Sequence, residues 1–98
     1  MTPSQLRMAR AALKLTVRQL ELQTGVNKNT ISRYEAGQEV LASAVQKLEM
    51  LFREEGLIFT EENGTRGLGV LLSKELSRRL EHPSQTTSKT RRAKPAKR

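Results

Sequence analysis

Short apolar runs at helical spacing alternate along the chain with single glycines and capping residues. Behind Ser4, a residue suited to an N-cap, Leu6, Ala9 and Leu13 recur at three- and four-residue intervals, with Met8, Ala12 and Leu15 beside them. This predicts a first helix over about Ser4 to Lys14. Thr16 then caps a second helix over Val17 to Thr24, which Gly25 ends. Asn27 caps a third, roughly Lys28 to Ala36, with Ile31 and Tyr34 facing inward and Gly37 closing it. Leu41, Val45, Leu48 and Phe52, flanked by Ala44 and Leu51, form one stripe and predict a fourth helix from about Ala42 to Glu55, stopped by Gly56.

After Gly56 the period changes. Leu57-Ile58-Phe59-Thr60 and Leu68-Gly69-Val70-Leu71-Leu72 flank a turn-rich stretch in which Asn63-Gly64 signals a hairpin, with a loop of two residues or longer. Lys74 to Glu81, with Leu76 and Leu80 on one side, fits a last helical turn or two. Beyond His82-Pro83 the only apolar side chains are Ala93 and Ala96, too few to offset the entropy of ordering, so residues 82–98 are expected to be disordered when free. The fold class is mainly α, a bundle of four to five short helices with a C-terminal β-hairpin. Its expected parts are residues 1–56, a hairpin and short helix over 57–81, and a basic tail over 82–98.

Composition narrows this further. At 98 residues with three aromatics, the chain has room for one small domain whose core is built from Leu, Ile, Val, Met and Ala. The absence of cysteine excludes a disulfide scaffold, thiolate zinc sites and thiol nucleophiles. The longest apolar run, Val70 to Leu72, is far shorter than the ~20 residues that span a bilayer, and no apolar signal-peptide core follows Met1. No membrane span is expected, and the expected location is cytoplasmic.

The net charge of +8 is unevenly spread. Residues 1–33 carry six cations and one acid, residues 34–81 carry six cations and nine acids, and residues 82–98 carry six cations and no acid. Such asymmetry is expected when one face meets a polyanion and another does structural work. Scattered surface charge that only keeps a protein soluble would give the same total, so the motifs must decide.

Two short helices joined through a glycine-containing turn, the second polar on its outer face, form a helix-turn-helix signature. Leu20, Val26, Ile31 and Tyr34 clamp the second helix from behind, so that Lys28, Asn29, Ser32 and Arg33 reach outward to a fixed depth. Lys and Arg donate to guanine in the major groove and Asn pairs with adenine. Thr16 and the helix N-terminus suit backbone phosphates, and Arg10, Lys14 and Arg18 add charge nearby. A three-helix packing unit with a merely solvated polar face has the same spacing.

The run Leu15-Thr16-Val17-Arg18-Gln19-Leu20, followed by Gly25 to Gly37 (Gly-Val-Asn-Lys-Asn-Thr-Ile-Ser-Arg-Tyr-Glu-Ala-Gly), resembles the XRE family of lambda-repressor and Cro-like helix-turn-helix regulators. Leu6 to Arg10 is similar to the family's first helix, the likeness covers about residues 4–55, and Phe59 to Gly64 with Gly69-Val70 resembles the hairpin of a bacterial subgroup. The resemblance implies a lambda-repressor-like bundle that binds double-stranded DNA in the major groove, as a homodimer on a palindromic operator. It puts Asn27, Lys28, Asn29, Ser32 and Arg33 on the bases and Arg10, Lys14, Thr16, Arg18 and Thr30 on the backbone. It also implies an ion pair between Arg10 and Glu35. Two positions depart from the pattern: Val17 stands where Gln is common, and Glu21 where a small Ala is usual, so Glu21 must bend outward or hold the two helices apart. Leu22 is expected to be exposed.

No nucleophile–base pair, phosphate loop or metal-ligand spacing is present, His82 has no partner group, and Glu54-Glu55 and Glu61-Glu62 read as solvated pairs. No catalysis, metal or cofactor is expected. The first reading is a transcriptional repressor whose dimer interface is built from the hairpin, with the fourth helix or residues 74–81 as further candidates. The others are an antitoxin that neutralises a partner protein while regulating its own operon, and a general nucleic-acid chaperone. The six cations of the tail either contact phosphates outside the operator, each steepening the salt dependence by ~0.9 in log K, or only solubilise the chain.

Overall fold

Thr2, not Ser4, starts the first helix. The Thr2 hydroxyl accepts from the Gln5 amide at 3.2 Å while the Gln5 side chain accepts from the Thr2 amide at 2.9 Å, a reciprocal capping box, and Pro3 presets the first turn. Ser4 instead accepts from Arg7 at 3.1 Å. A computed structural model describes residues 1–81, and the expectation for the tail falls on residues outside that range. The elements are α1 (Pro3–Leu13), α2 (Val17–Thr24), α3 (Lys28–Glu35), α4 (Ala42–Glu55), β1 (Leu57–Thr60), β2 (Gly69–Leu72) and α5 (Lys74–Glu81). No helix among the described residues is long and apolar enough to cross a membrane.

Three features differ from the sequence pattern. Leu41 is not on the stripe of α4: it is the N-cap, its backbone is extended, and its side chain is 76% exposed. The hairpin link differs from the two-residue turn that Asn63-Gly64 signals and is the longer loop the sequence also allows, in which the Asn63 side-chain oxygen accepts from the amides of Thr65 and Arg66 at 2.8 and 3.0 Å. Leu68 lies before β2 and is exposed. Gly56 does end α4, at φ +107°, and a Cβ there would meet the Ser73 hydroxyl at 2.7 Å, so only glycine fits.

Leu6, Ala9, Leu20, Val26, Ile31, Leu48 and Phe52 are buried in one cluster with Leu57 of β1 and Leu76 of α5. Each fully buried aliphatic side chain stabilises the fold by roughly 1.5–3 kcal/mol. The hairpin and α5 therefore complete the core of the four helices. β1 pairs antiparallel with β2, Leu57 opposite Leu72 and Thr60 opposite Gly69. Phe59 meets Phe52 edge-on with ring centroids 6.3 Å apart, and the Arg53 guanidinium lies 5.5 Å over the Phe59 ring.

One polar side chain sits inside this packing. Gln5 is buried, and its amide donates to the carbonyls of Thr60 at 2.8 Å and Gly69 at 2.9 Å, the paired residues at the loop end of the hairpin. A single residue thus caps α1 and ties it to the sheet. Nearby, the Met1 amino group donates to Glu49 at 3.0 Å, and Arg53 reaches the other oxygen of the same carboxylate at 2.7 Å. Arg53 first, and then the amino group, hold the Glu49 carboxyl below its ordinary range.

Candidate nucleic-acid interface

The turn between α2 and α3 is built for rigidity. Gly25 ends α2 at φ +80°, a left-handed conformation that costs glycine nothing, and Val26 then turns back into the core. The Thr24 hydroxyl donates to the Leu20 carbonyl at 2.7 Å and accepts from the Val26 amide at 3.1 Å, so the turn is pinned to the preceding helix. Asn27 caps α3 through its side-chain oxygen on the Asn29 amide at 2.7 Å.

The far end of α3 is held by α1. Arg10 grips Glu35 with two nitrogens, Nε at 2.7 Å and Nη2 at 3.0 Å, and its Nη1 donates to the Leu15 carbonyl at 3.1 Å. The Glu35 carboxylate raises the pKa of Arg10, chiefly through this hydrogen bonding and against a smaller opposing effect of burial. Arg7 donates to the Glu35 carbonyl, and the Tyr34 hydroxyl donates to the Met1 carbonyl at 2.6 Å. Three of the five donors of the Arg10 guanidinium are therefore engaged inside the fold.

With its two ends fixed and Ile31 buried at its centre, α3 turns Lys28, Asn29, Ser32 and Arg33 to solvent, and Asn27 is exposed just ahead of them. Thr30 is half-buried. It joins Asn27 and Arg33 on the wall of a groove of about 620 Å³ between α3 and the start of α4. Ser43 and Lys47 line the opposite wall, residues that the sequence reading does not single out. On the other side, Lys14 is exposed at the left-handed C-cap of α1, and Arg18 is exposed in the first turn of α2. The Thr16 hydroxyl is occupied by the Gln19 amide at 3.0 Å, while its backbone stands at the open start of α2.

Of the two departures, Val17 is half-buried against the core and Glu21 has a defined partner. The Glu21 carboxylate reaches across the turn and accepts from the Lys28 amide at 3.2 Å. A carboxylate seven residues before a helix start, across a glycine turn, is a signal that the capping pattern contains and that composition alone hides. Leu22 is 72% exposed.

A rigid two-helix unit with a basic, solvent-facing second helix defines a helix-turn-helix DNA-binding domain. Residues 4–49 match the family model described as a helix-turn-helix domain, a family typical of XRE-like regulators. No curated protein matches the chain.

Proposed function

We propose that the protein is a sequence-specific transcriptional repressor that occupies a palindromic operator as a homodimer. The observation that carries this reading is the polar outer face of α3, with Lys28, Asn29, Ser32 and Arg33 exposed on a helix pinned at both ends. A pinned helix holds base-reading side chains at one depth, and those side chains match the donor and acceptor patterns of the major groove. Asn27 belongs with the base-reading set, and Lys14, Thr16, Arg18 and Thr30 with the phosphate contacts. Arg10 acts mainly through Glu35. On this reading the place of action is the cytoplasm.

Selection of bound duplexes from a random DNA pool tests it. The expected consensus is an inverted repeat with half-sites about one helical turn, ~34 Å, apart. Lys28→Ala, Asn29→Ala and Arg33→Ala should each lose roughly 1–3 kcal/mol on that consensus and relax the preference at one position. If all three variants bind it like the parent protein, α3 is not the reading helix.

The dimer reading rests on the hairpin. Ile58 and Leu71 face each other across the two strands, 47% and 50% exposed, on the side away from the core. A two-stranded sheet with a bare apolar pair is marginal in water, and a second copy placed on it by a two-fold axis would cover both pairs. Leu71→Glu should therefore give a monomer in sedimentation at micromolar protein, with the melting temperature of the monomeric unit little changed. A parent protein that sediments as a monomer at every concentration would overturn the interface.

A further inference from the structure

We propose that Glu21 is a positioning residue for base readout, one that fixes the first turn of α3 on α2 and keeps phosphate off the Lys28 and Asn29 amides. This rests on the DNA-binding reading above. Glu21 is the only acid among the first 33 residues, and from α2 it reaches the first amide of α3, the helix that carries Lys28 and Asn29. Its Oε2 takes the Lys28 amide at 3.2 Å, while Asn27 takes the Asn29 amide at 2.7 Å. Two amides that would otherwise draw an anion to the positive end of the helix already have oxygen partners.

The two caps differ in what they fix. Asn27 acts within the first turn of α3 and would travel with it. Glu21 belongs to α2, so its bond spans the turn and sets the angle between the two helices. A hydrogen bond to a charged acceptor is the stronger kind. Lys28 and Asn29 leave the backbone at this turn, so any sway of the turn is carried to their tips. The same negative charge also opposes the approach of phosphate oxygens to a segment whose other charges are all positive.

The two roles separate in the full-length protein with Glu21→Gln, which keeps the acceptor and removes the charge, and Glu21→Ala, which removes both. Amide hydrogen exchange at Lys28 is read without DNA. Kd is read on the selected consensus and on a random duplex of equal length. Glu21→Ala should speed Lys28 exchange by about tenfold and lower the ratio of consensus to random affinity by about the same factor. Glu21→Gln should restore both, while binding each duplex roughly threefold more tightly at low salt. Wild-type exchange at Lys28 in Glu21→Ala, or an unchanged affinity ratio, would overturn the positioning role, and equal low-salt affinities for Glu21→Gln and the parent would overturn the charge role. A parent protein that prefers no duplex defeats the DNA reading itself, and with it the readout role, whereas the exchange result still decides whether Glu21 fixes the turn.

Discussion

Replacing Gln5 by Glu should unfold the protein more readily at neutral pH than in mild acid. The Gln5 amide nitrogen faces two carbonyl oxygens, those of Thr60 and Gly69, in a buried setting. A carboxylate placed there would present oxygen to oxygen and lose its water, and both effects push its pKa above the ordinary carboxylate range. A group raised in this way binds its proton more readily in the folded than in the unfolded chain. The destabilisation therefore develops as the pH rises from the ordinary carboxylate value through the raised one, and is relieved on acidification. At neutral pH the loss should be about 3 kcal/mol or more, a large part of the roughly 5–15 kcal/mol that holds a small domain together. Gln5→Leu, which leaves the two carbonyls and the Thr2 amide without this partner, should lose about 1–3 kcal/mol with no such pH dependence. Urea unfolding of both variants between pH 4 and 8 checks this, and parallel pH curves would refute the assignment.

Gln5 also shows what the chain's pattern could and could not reveal. The helices of residues 17–55 are legible because capping residues, glycines and apolar spacing agree: Thr16 with Gly25, Asn27 ahead of α3, Gly56 after α4. The start of α1 is legible too, in Thr2 and Gln5 as a capping pair, but Ser4 offers a competing cap three residues before Arg7. What spacing cannot carry is the long-range contact. The hydrogen bonds from Gln5 to Thr60 and Gly69 join residues 55 and 64 positions apart. Leu41 is similar: its identity fits the apolar stripe, and only the backbone at the helix entry places it in solvent. In the site, the exposed face of α3 follows from period alone, whereas Lys47 and Ser43 reach the same groove through the packing of α4. The contact between Glu21 and the Lys28 amide depends on the turn geometry that Gly25 permits.

Breaking the Arg10–Glu35 pair from one side should weaken both the fold and its hold on DNA, and the two effects should be separable. Glu35 keeps only 13% of its side-chain exposure, and Arg10 28%, so removing one partner strands the other in a poorly solvated place. Losing one member of a fully buried pair costs about 3–5 kcal/mol, and the remaining solvent contact reduces this to about 2–3 kcal/mol for Arg10→Met. Glu35→Gln, which still accepts from the guanidinium, should lose about 1 kcal/mol. Arg10→Met with Glu35→Leu removes both charges and should be more stable than the sum of the single losses predicts, with a coupling of about 1–2 kcal/mol. The consequence for DNA follows from where the pair sits. It joins α1 to the last turn of α3, while Asn27 and Glu21 hold the first. At a temperature where Arg10→Met is still folded, the end of α3 that carries Ser32 and Arg33 is less firmly held, so affinity for the selected DNA should fall more than the small unfolded fraction explains. The double variant tests whether charge or position matters there: a neutral, well-packed contact that restores stability without restoring affinity means that the bidentate geometry itself sets the helix. Full recovery of affinity together with stability would mean that the pair serves the fold alone.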